Sequence, residues 1–207
     1  VIINKFRGDV EILKPGLKKL EELTGVPIVG VLPYSDVDIE DEDSLTDKFK
    51  KSKETKGIKV SVIKLKHISN FTDIDALNIQ EDVSINYVTS ADELGDEDMI
   101  VIPGSKNTID DLKDLKDRGI AVEIIKASRK GTAVIGICGG FQMLGEKVKD
   151  PYGIESDIKE IPGLGILDME TIMEKEKNTT QYSGELKNTA GIISGLDGVK
   201  IKGYEIH

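Results

Sequence analysis

The sequence predicts an α/β protein: a doubly wound, mostly parallel sheet over residues 57–207, preceded by part of a second α/β unit over residues 1–35. Three observations predict it. Short apolar, β-branched runs (DMIVIPG, TAVIGI) alternate with longer helix-patterned segments (TIDDLKDLKDRG, AVEIIKASRKG), the rhythm of parallel strands joined by crossover helices. A charged stretch poor in aliphatic residues, 36–56, divides the two units and reads as a linker. Residues 164–206 hold several short strand-like runs separated by Gly and Asn, so the C-terminal part is expected to be β-rich.

In chain order, VIINKF reads as a short buried strand, PGLKKLEELTG as a helix with Gly25 as its stop signal, and VPIVGVLPY as a second strand. Strand, helix, strand is one crossover unit of a parallel sheet. The linker could carry a solvated helix in its middle. Beyond it, IKVSVIKL alternates like a strand, VSINYV is another, and DMIVIPG is a buried strand ending in a Pro-Gly turn. TIDDLKDLKDRG reads as a helix with Thr108 as N-cap and Asp111 completing a capping-box pattern. AVEIIKASRKG is a second helix ending at Gly131, TAVIGI the next strand, and GGFQMLGEKV the helix after it. No internal repeat stands out.

Composition excludes several classes of function. A net charge of −10 argues against wrapping nucleic acid or lying on an anionic membrane. No apolar run approaches the roughly 20 residues of a membrane span. With one cysteine and two histidines, a Cys/His zinc site is excluded and no metal site is expected. A lone cysteine forms no internal disulfide, so a reducing cytoplasm is the simplest compartment. The chain opens on VIINKFRGD, without an initiator methionine, and closes on KIKGYEIH, an alternating run that stops without a turn. Both ends predict a piece of a longer polypeptide, truncated at its C-terminus.

The single thiol, Cys138, lies in GICGGFQ between an apolar strand run and a helix-like one. Strand, Gly-x-Cys-Gly-Gly, helix is the pattern of a nucleophile elbow, whose tight turn leaves no room for flanking side chains. The elbow would expose the sulfur at the carboxyl edge of the sheet, and the following helix start would favour the thiolate. The plainer alternative is a small residue packed under a helix, and packing alone does not require three flanking glycines. A second strand ending, IPGSKNT (102–108), would bring backbone N–H groups to the same edge. His207 ends the strand-like run GYEIH, where a general base could be held rigidly, whereas His67 reads as a surface or hydrogen-bonded histidine. No GxxxxGK[ST] phosphate loop occurs in the sequence.

GICGGFQMLG resembles the G-x-C-x-G-x-Q elbow of class I glutamine amidotransferases. INKFRGD, ISNFTD, PGSKNT and GYEIH together resemble the cobyric acid synthase family of cobalamin biosynthesis, across nearly the whole chain. GICGG by itself points to the superfamily; PGSKNT with ISNFTD is more specific, and the related cobyrinic acid a,c-diamide synthase pattern lacks both. The resemblance implies a flavodoxin-like glutamine amidotransferase domain over 57–207, with residues 1–35 as the tail of a dethiobiotin synthetase-like ATP-binding domain. It implies ATP, Mg2+ and glutamine-derived ammonia in the full-length enzyme, amidating side-chain carboxylates of a corrinoid, with no cofactor held by this chain. The chain itself would retain at most the glutaminase step. Cys138 would be the nucleophile and His207 the base. Gly139 N–H and a backbone donor near Gly104 would hold the oxyanion, and Gln142 would help to hold substrate glutamine. Many class I enzymes place a third triad member, a glutamate, two residues after the histidine. The cobyric acid synthase pattern generally lacks it, and Glu205 is assigned no triad role. Two other readings are a glutamine-hydrolysing subunit of a related ligase, such as one amidating a cell-wall precursor, and a catalytically silent docking module.

Overall fold

A computed structural model describes residues 1–34, 57–176 and 179–206. The predicted linker, 36–56, and His207 lie outside the described residues. The chain divides into two compact units, Val1–Glu40 and Asp41–His207.

The first unit is the expected crossover, although its opening strand, expected to be buried, is largely exposed. Strand β1 (Ile2–Phe6) leads into helix α1 (Val10–Thr24), and strand β2 (Gly30–Pro33) returns parallel to β1. Gly25 ends α1 in the left-handed conformation as expected, its N–H bonding Glu21 O at 2.8 Å. The start differs. The helix opens at Val10, five residues before Pro15, because the Asp9 carboxylate accepts the Glu11 N–H at 2.8 Å and caps it. Pro15 therefore sits inside the helix, where it removes one intrahelical hydrogen bond.

The second unit is built on four parallel strands. In chain order it holds β3 (Ile58–Ile63), the two-residue β4 (Ile68–Ser69), the short helix α2 (Asp75–Asn78), β5 (Val83–Val88), β6 (Met99–Ile102) and the two-residue β7 (Gly104–Ser105). Helices α3 (Thr108–Asp117) and α4 (Ile120–Lys130), strand β8 (Ala133–Gly136) and helix α5 (Gly139–Met143) follow. Strands β9 (Lys147–Lys149), β10 (Glu160–Pro162), β11 (Glu170–Ile172), β12 (Thr179–Glu185) and β13 (Lys200–Ile206) make the β-rich C-terminal part. The central sheet runs β5-β3-β6-β8. By order of appearance this is 2-1-3-4, the flavodoxin-like winding, with its switch point between β3 and β6.

Alternation along these strands builds an apolar core on both faces. Val60, Val62, Val83, Ile85 and Val101 pack with Ile74 on one face. Ile63, Ile100 and Ile102 pack with Ile109, Leu112, Leu115, Ile120 and Ile124 of α3 and α4 on the other. Each such side chain, fully buried, contributes about 1.5–3 kcal/mol.

Two local expectations are corrected. Asn107, not Thr108, caps α3: its side-chain oxygen accepts the Asp110 N–H at 3.1 Å. Asp111 makes no capping box; it is fully buried and bonded elsewhere. Helix α5 ends at Met143 rather than running through GEKV, because other backbone bonds claim that stretch. Leu164 N–H bonds Met143 O (2.9 Å), Ile166 N–H bonds Leu144 O (2.9 Å), Gly165 N–H bonds Gly145 O (2.9 Å) and Gly163 N–H bonds Glu146 O (2.7 Å). Glu146 N–H in turn bonds Met169 O at 2.7 Å, which completes a main-chain seam between residues 143–146 and 163–169.

Candidate active site

Strands β6 and β8 are parallel neighbours in register, with Ile102 beside Gly136. Their carboxyl ends therefore leave the sheet side by side, and Ile137 N–H extends the ladder by bonding Ile102 O at 2.9 Å. The chain then turns into α5 through one residue, Cys138, whose backbone takes φ 51° and ψ −113°. This is neither helix nor strand, and a residue with a Cβ is held there only by its surroundings, at about 1–3 kcal/mol. The thiol is exposed, so the buried-filler reading fails.

Close approach explains the glycines. A Cβ on Gly140 would lie 2.1 Å from Ile102 O and 2.7 Å from Pro103 O. A Cβ on Gly104 would lie 2.6 Å from Ser69 Oγ and 3.8 Å from Cys138 Cβ, so the Pro-Gly turn after β6 sits against the elbow. Gly139, first in α5, has an N–H that no intrahelical carbonyl can satisfy, and it packs against Ser105 and Thr108. With five residues, α5 has too little length for a developed macrodipole; any activation of the thiol depends on groups closer at hand.

These placements bring Cys138, Gly104 and Gly139 to one sheet edge. Gln142 joins them: its Oε1 accepts the Thr108 hydroxyl at 3.1 Å. Residues 59–207 match the CobB/CobQ-like glutamine amidotransferase domain. The chain belongs to this family.

The amidotransferase domain has relatives across its full span. Cobyric acid synthase of Alkaliphilus metalliredigens (strain QYMF) is 52% identical over 210 residues, covering 100% of this chain and 42% of that protein. Cobyric acid synthase of Caldanaerobacter subterraneus subsp. tengcongensis is 51% identical over 208 residues, covering 100% of this chain and 41% of that protein. The chain thus spans about two-fifths of the length of these curated relatives. Among solved structures, PurLQS from Thermotoga maritima superposes with a TM-score of 0.52 at 23% identity, over 73% of this chain and 66% of that chain, a likeness of fold.

Three residues that tie neighbouring segments to α3 or to each other escape a reading of the sequence. The buried Asp111 is one. The others come from the turn after β9, DPYGIE. Asp150, fully buried, accepts the N–H groups of Ile154 (2.8 Å), Glu155 (2.9 Å) and Ser156 (3.1 Å). That folds the turn so that the Glu155 carboxylate accepts the Thr108 N–H at 2.8 Å, at the first turn of α3. Asn107 Nδ2 donates to Glu155 O at 3.1 Å and closes the clasp. An Asp-Pro-x-Gly run could have signalled the turn, but not its destination. Burial raises the pKa of Glu155, helped by the charge of Asp150 and opposed by the Thr108 N–H.

Burial also pushes the Asp150 carboxyl upward, but the N–H groups converging on it outweigh burial and leave its pKa lowered. A lowered folded-state pKa adds stability that is present above the unfolded value, about 3.9, and lost as pH falls through the folded one. Asp150→Asn should therefore be less stable than the wild type at neutral pH, and the gap should narrow below about pH 4. Denaturant unfolding across pH 3–7 checks this; a gap independent of pH would refute it.

Proposed function

We propose that residues 57–207 hydrolyse glutamine in the cytoplasm, and that the ammonia serves ATP-dependent amidation of corrinoid side-chain carboxylates, as in a cobyric acid synthase. The observation that carries the reading is the exposed Cys138 on its strained one-residue turn, φ 51° and ψ −113°, beside the Pro-Gly turn at Gly104. Relatives named cobyric acid synthase that match 100% of the chain support the wider assignment.

In this reading Cys138 Sγ attacks the carboxamide carbon of glutamine while His207 takes the thiol proton. The tetrahedral oxyanion forms against Gly139 N–H and a backbone donor of the Gly104 turn, each worth about 3 kcal/mol to the transition state. His207 passes the proton to the departing nitrogen, ammonia leaves, and a γ-glutamyl thioester remains. Water, deprotonated by His207, attacks the thioester; glutamate departs and the thiol is restored. Gln142, its Oε1 held by Thr108, would present its Nε2 hydrogens to the substrate. The N-terminal ATP-binding domain of the full-length protein would supply ATP and Mg2+. Both would be held outside these residues, since the sequence has no GxxxxGK[ST] phosphate loop to cradle a nucleotide. No step here passes through them.

The test supplies the full-length protein with ATP, Mg2+, glutamine labelled with nitrogen-15 in its side-chain amide, and a corrinoid bearing free side-chain carboxylates. Label should appear in corrinoid amides. Glutamine hydrolysis that leaves the corrinoid unlabelled would overturn the corrinoid assignment, and label transferred to a cell-wall precursor in a parallel reaction would replace it with the related ligase.

A further inference from the structure

The turn that carries Gly104 is not held by β6 alone. Strands β4 and β7 form a two-residue antiparallel ladder, Ile68 opposite Ser105 and Ser69 opposite Gly104. Lys106 N–H extends it by bonding His67 O at 2.8 Å. The ladder lies over the switch point of the sheet, between the segments that leave β3 and β6. Two residues per strand provide little intrinsic stability, so something must fix the register.

Asp111 is placed to do so. It stands in the first turn of α3 with no exposed surface, in an element anchored in the core through Ile109, Leu112 and Leu115. Its carboxylate accepts from both strands of the ladder. Ser105 Oγ–H donates to Oδ2 at 2.6 Å. From the β4 side, His67 N–H lies 3.2 Å from Oδ1 and the His67 ring Nδ1 lies 2.9 Å from the same oxygen. Ser105 Oγ also accepts the Asn107 N–H at 3.0 Å, tying the turn to the cap of α3. A buried carboxylate is costly unless its oxygens are satisfied, and here the Ser105 hydroxyl and the His67 N–H, from two segments, donate to it while the His67 ring nitrogen lies against it. Displacing the turn would leave that carboxylate underbonded, so the turn is held stiffly.

We infer that Asp111 is a positioning residue for glutamine hydrolysis: acting through Ser105 and His67, it holds the Gly104–Ser105 turn at the distance from Cys138 that the oxyanion requires. The inference rests on the glutaminase reading above. Catalysis by oxyanion donors depends on preorganisation, and a donor allowed to drift loses most of its effect. Asp111 never touches substrate, so its loss should weaken the transition state more than substrate binding.

The experiment compares Asp111→Asn and Ser105→Ala with the wild type in the full-length protein, by three readouts: kcat and KM for glutamine hydrolysis, and the rate of Cys138 alkylation by iodoacetamide. Alkylation is displacement at a saturated carbon: the S–C bond forms, the C–I bond breaks and iodide leaves, with no oxyanion. It reports on the thiol and the elbow, not on the donor turn. Asp111→Asn should lower kcat by about 100-fold and Ser105→Ala by about tenfold, with KM within about threefold and alkylation within about twofold in both. If Asp111→Asn fails to fold, Ser105→Ala decides. Unchanged kcat in the variants would overturn the inference. So would alkylation slowed in proportion to kcat, which would make Asp111 a structural support of the elbow. A wild-type protein that hydrolyses no glutamine would sink the glutaminase reading and this inference with it; an active wild type with unaffected variants sinks the inference alone.

Discussion

Cys138→Ser is expected to abolish covalent labelling by a glutamine analogue that carries an electrophilic carbon at the amide position, and to lower glutamine hydrolysis by about 1,000-fold or more. In the wild-type protein, free glutamine should slow the labelling, since both compete for one site. Stability should barely move, because the side chain is exposed. Cys138→Gly sharpens the test. At φ 51° and ψ −113°, a residue with a Cβ holds about 1–3 kcal/mol of strain; glycine relieves it and gives back about 0.5–1 kcal/mol through the freedom of the unfolded chain. The glycine variant should be inactive yet about 1 kcal/mol more stable by chemical denaturation. A cysteine kept for packing would behave oppositely, taking no label and losing stability on truncation. Inactivity combined with a gain in stability is the signature of a position held in strain for chemistry.

The other large effect is expected at Gly140. Its missing Cβ would meet Ile102 O at 2.1 Å, Ile102 C at 2.7 Å and Pro103 O at 2.7 Å, all of them backbone at the end of β6. No rotamer change relieves a clash with main chain, so Gly140→Ala must push α5 away from the sheet or force the Pro-Gly turn aside. Overpacking of this kind costs about 1–3 kcal/mol, occasionally more. In a chain of this size that lowers Tm by about 2–12 °C, which calorimetry reads directly. Glutamine hydrolysis should fall by about 100-fold or more even in the fraction that folds, because thiol and donors are displaced together. Near-wild-type turnover in this variant would mean that the contact between elbow and Pro-Gly turn is dispensable.

The parts of this fold that were legible in the sequence are those governed by neighbouring residues. The apolar strand runs DMIVIPG and TAVIGI and the helix stops at Gly25 and Gly131 all appear in the structure as expected. The adjacency of Cys138 and Gly104 follows from two strands that each end in a glycine-bearing turn and lie side by side. What was illegible depends on partners far away in the chain. Asp111 looks like a capping-box residue at its own position, and its actual partner His67 lies 44 residues upstream. Glu155 reaches Thr108 across 47 residues. Helix α1 hid its start for another reason: two valid local signals competed, and the Asp9 cap prevailed over the helix-opening preference of Pro15.

The seam between residues 143–146 and 163–169 has a consequence for how proteins of this kind diverge. Its bonds run from amide to carbonyl, and amides and carbonyls are common to nearly every amino acid. Little of the seam is therefore encoded in particular letters. The exceptions are places where main chain crowds main chain: a Cβ on Gly163 would lie 1.9 Å from Gly145 O, and one on Gly145 would lie 2.5 Å from Met169 O. Mutational drift can rewrite the remaining positions without loosening the segment behind the thiol, provided those two glycines, Gly165 at φ 63° and apolar side chains at the buried Met143, Leu144 and Leu164 survive. Resemblance counted letter by letter will understate how closely such proteins agree in shape there.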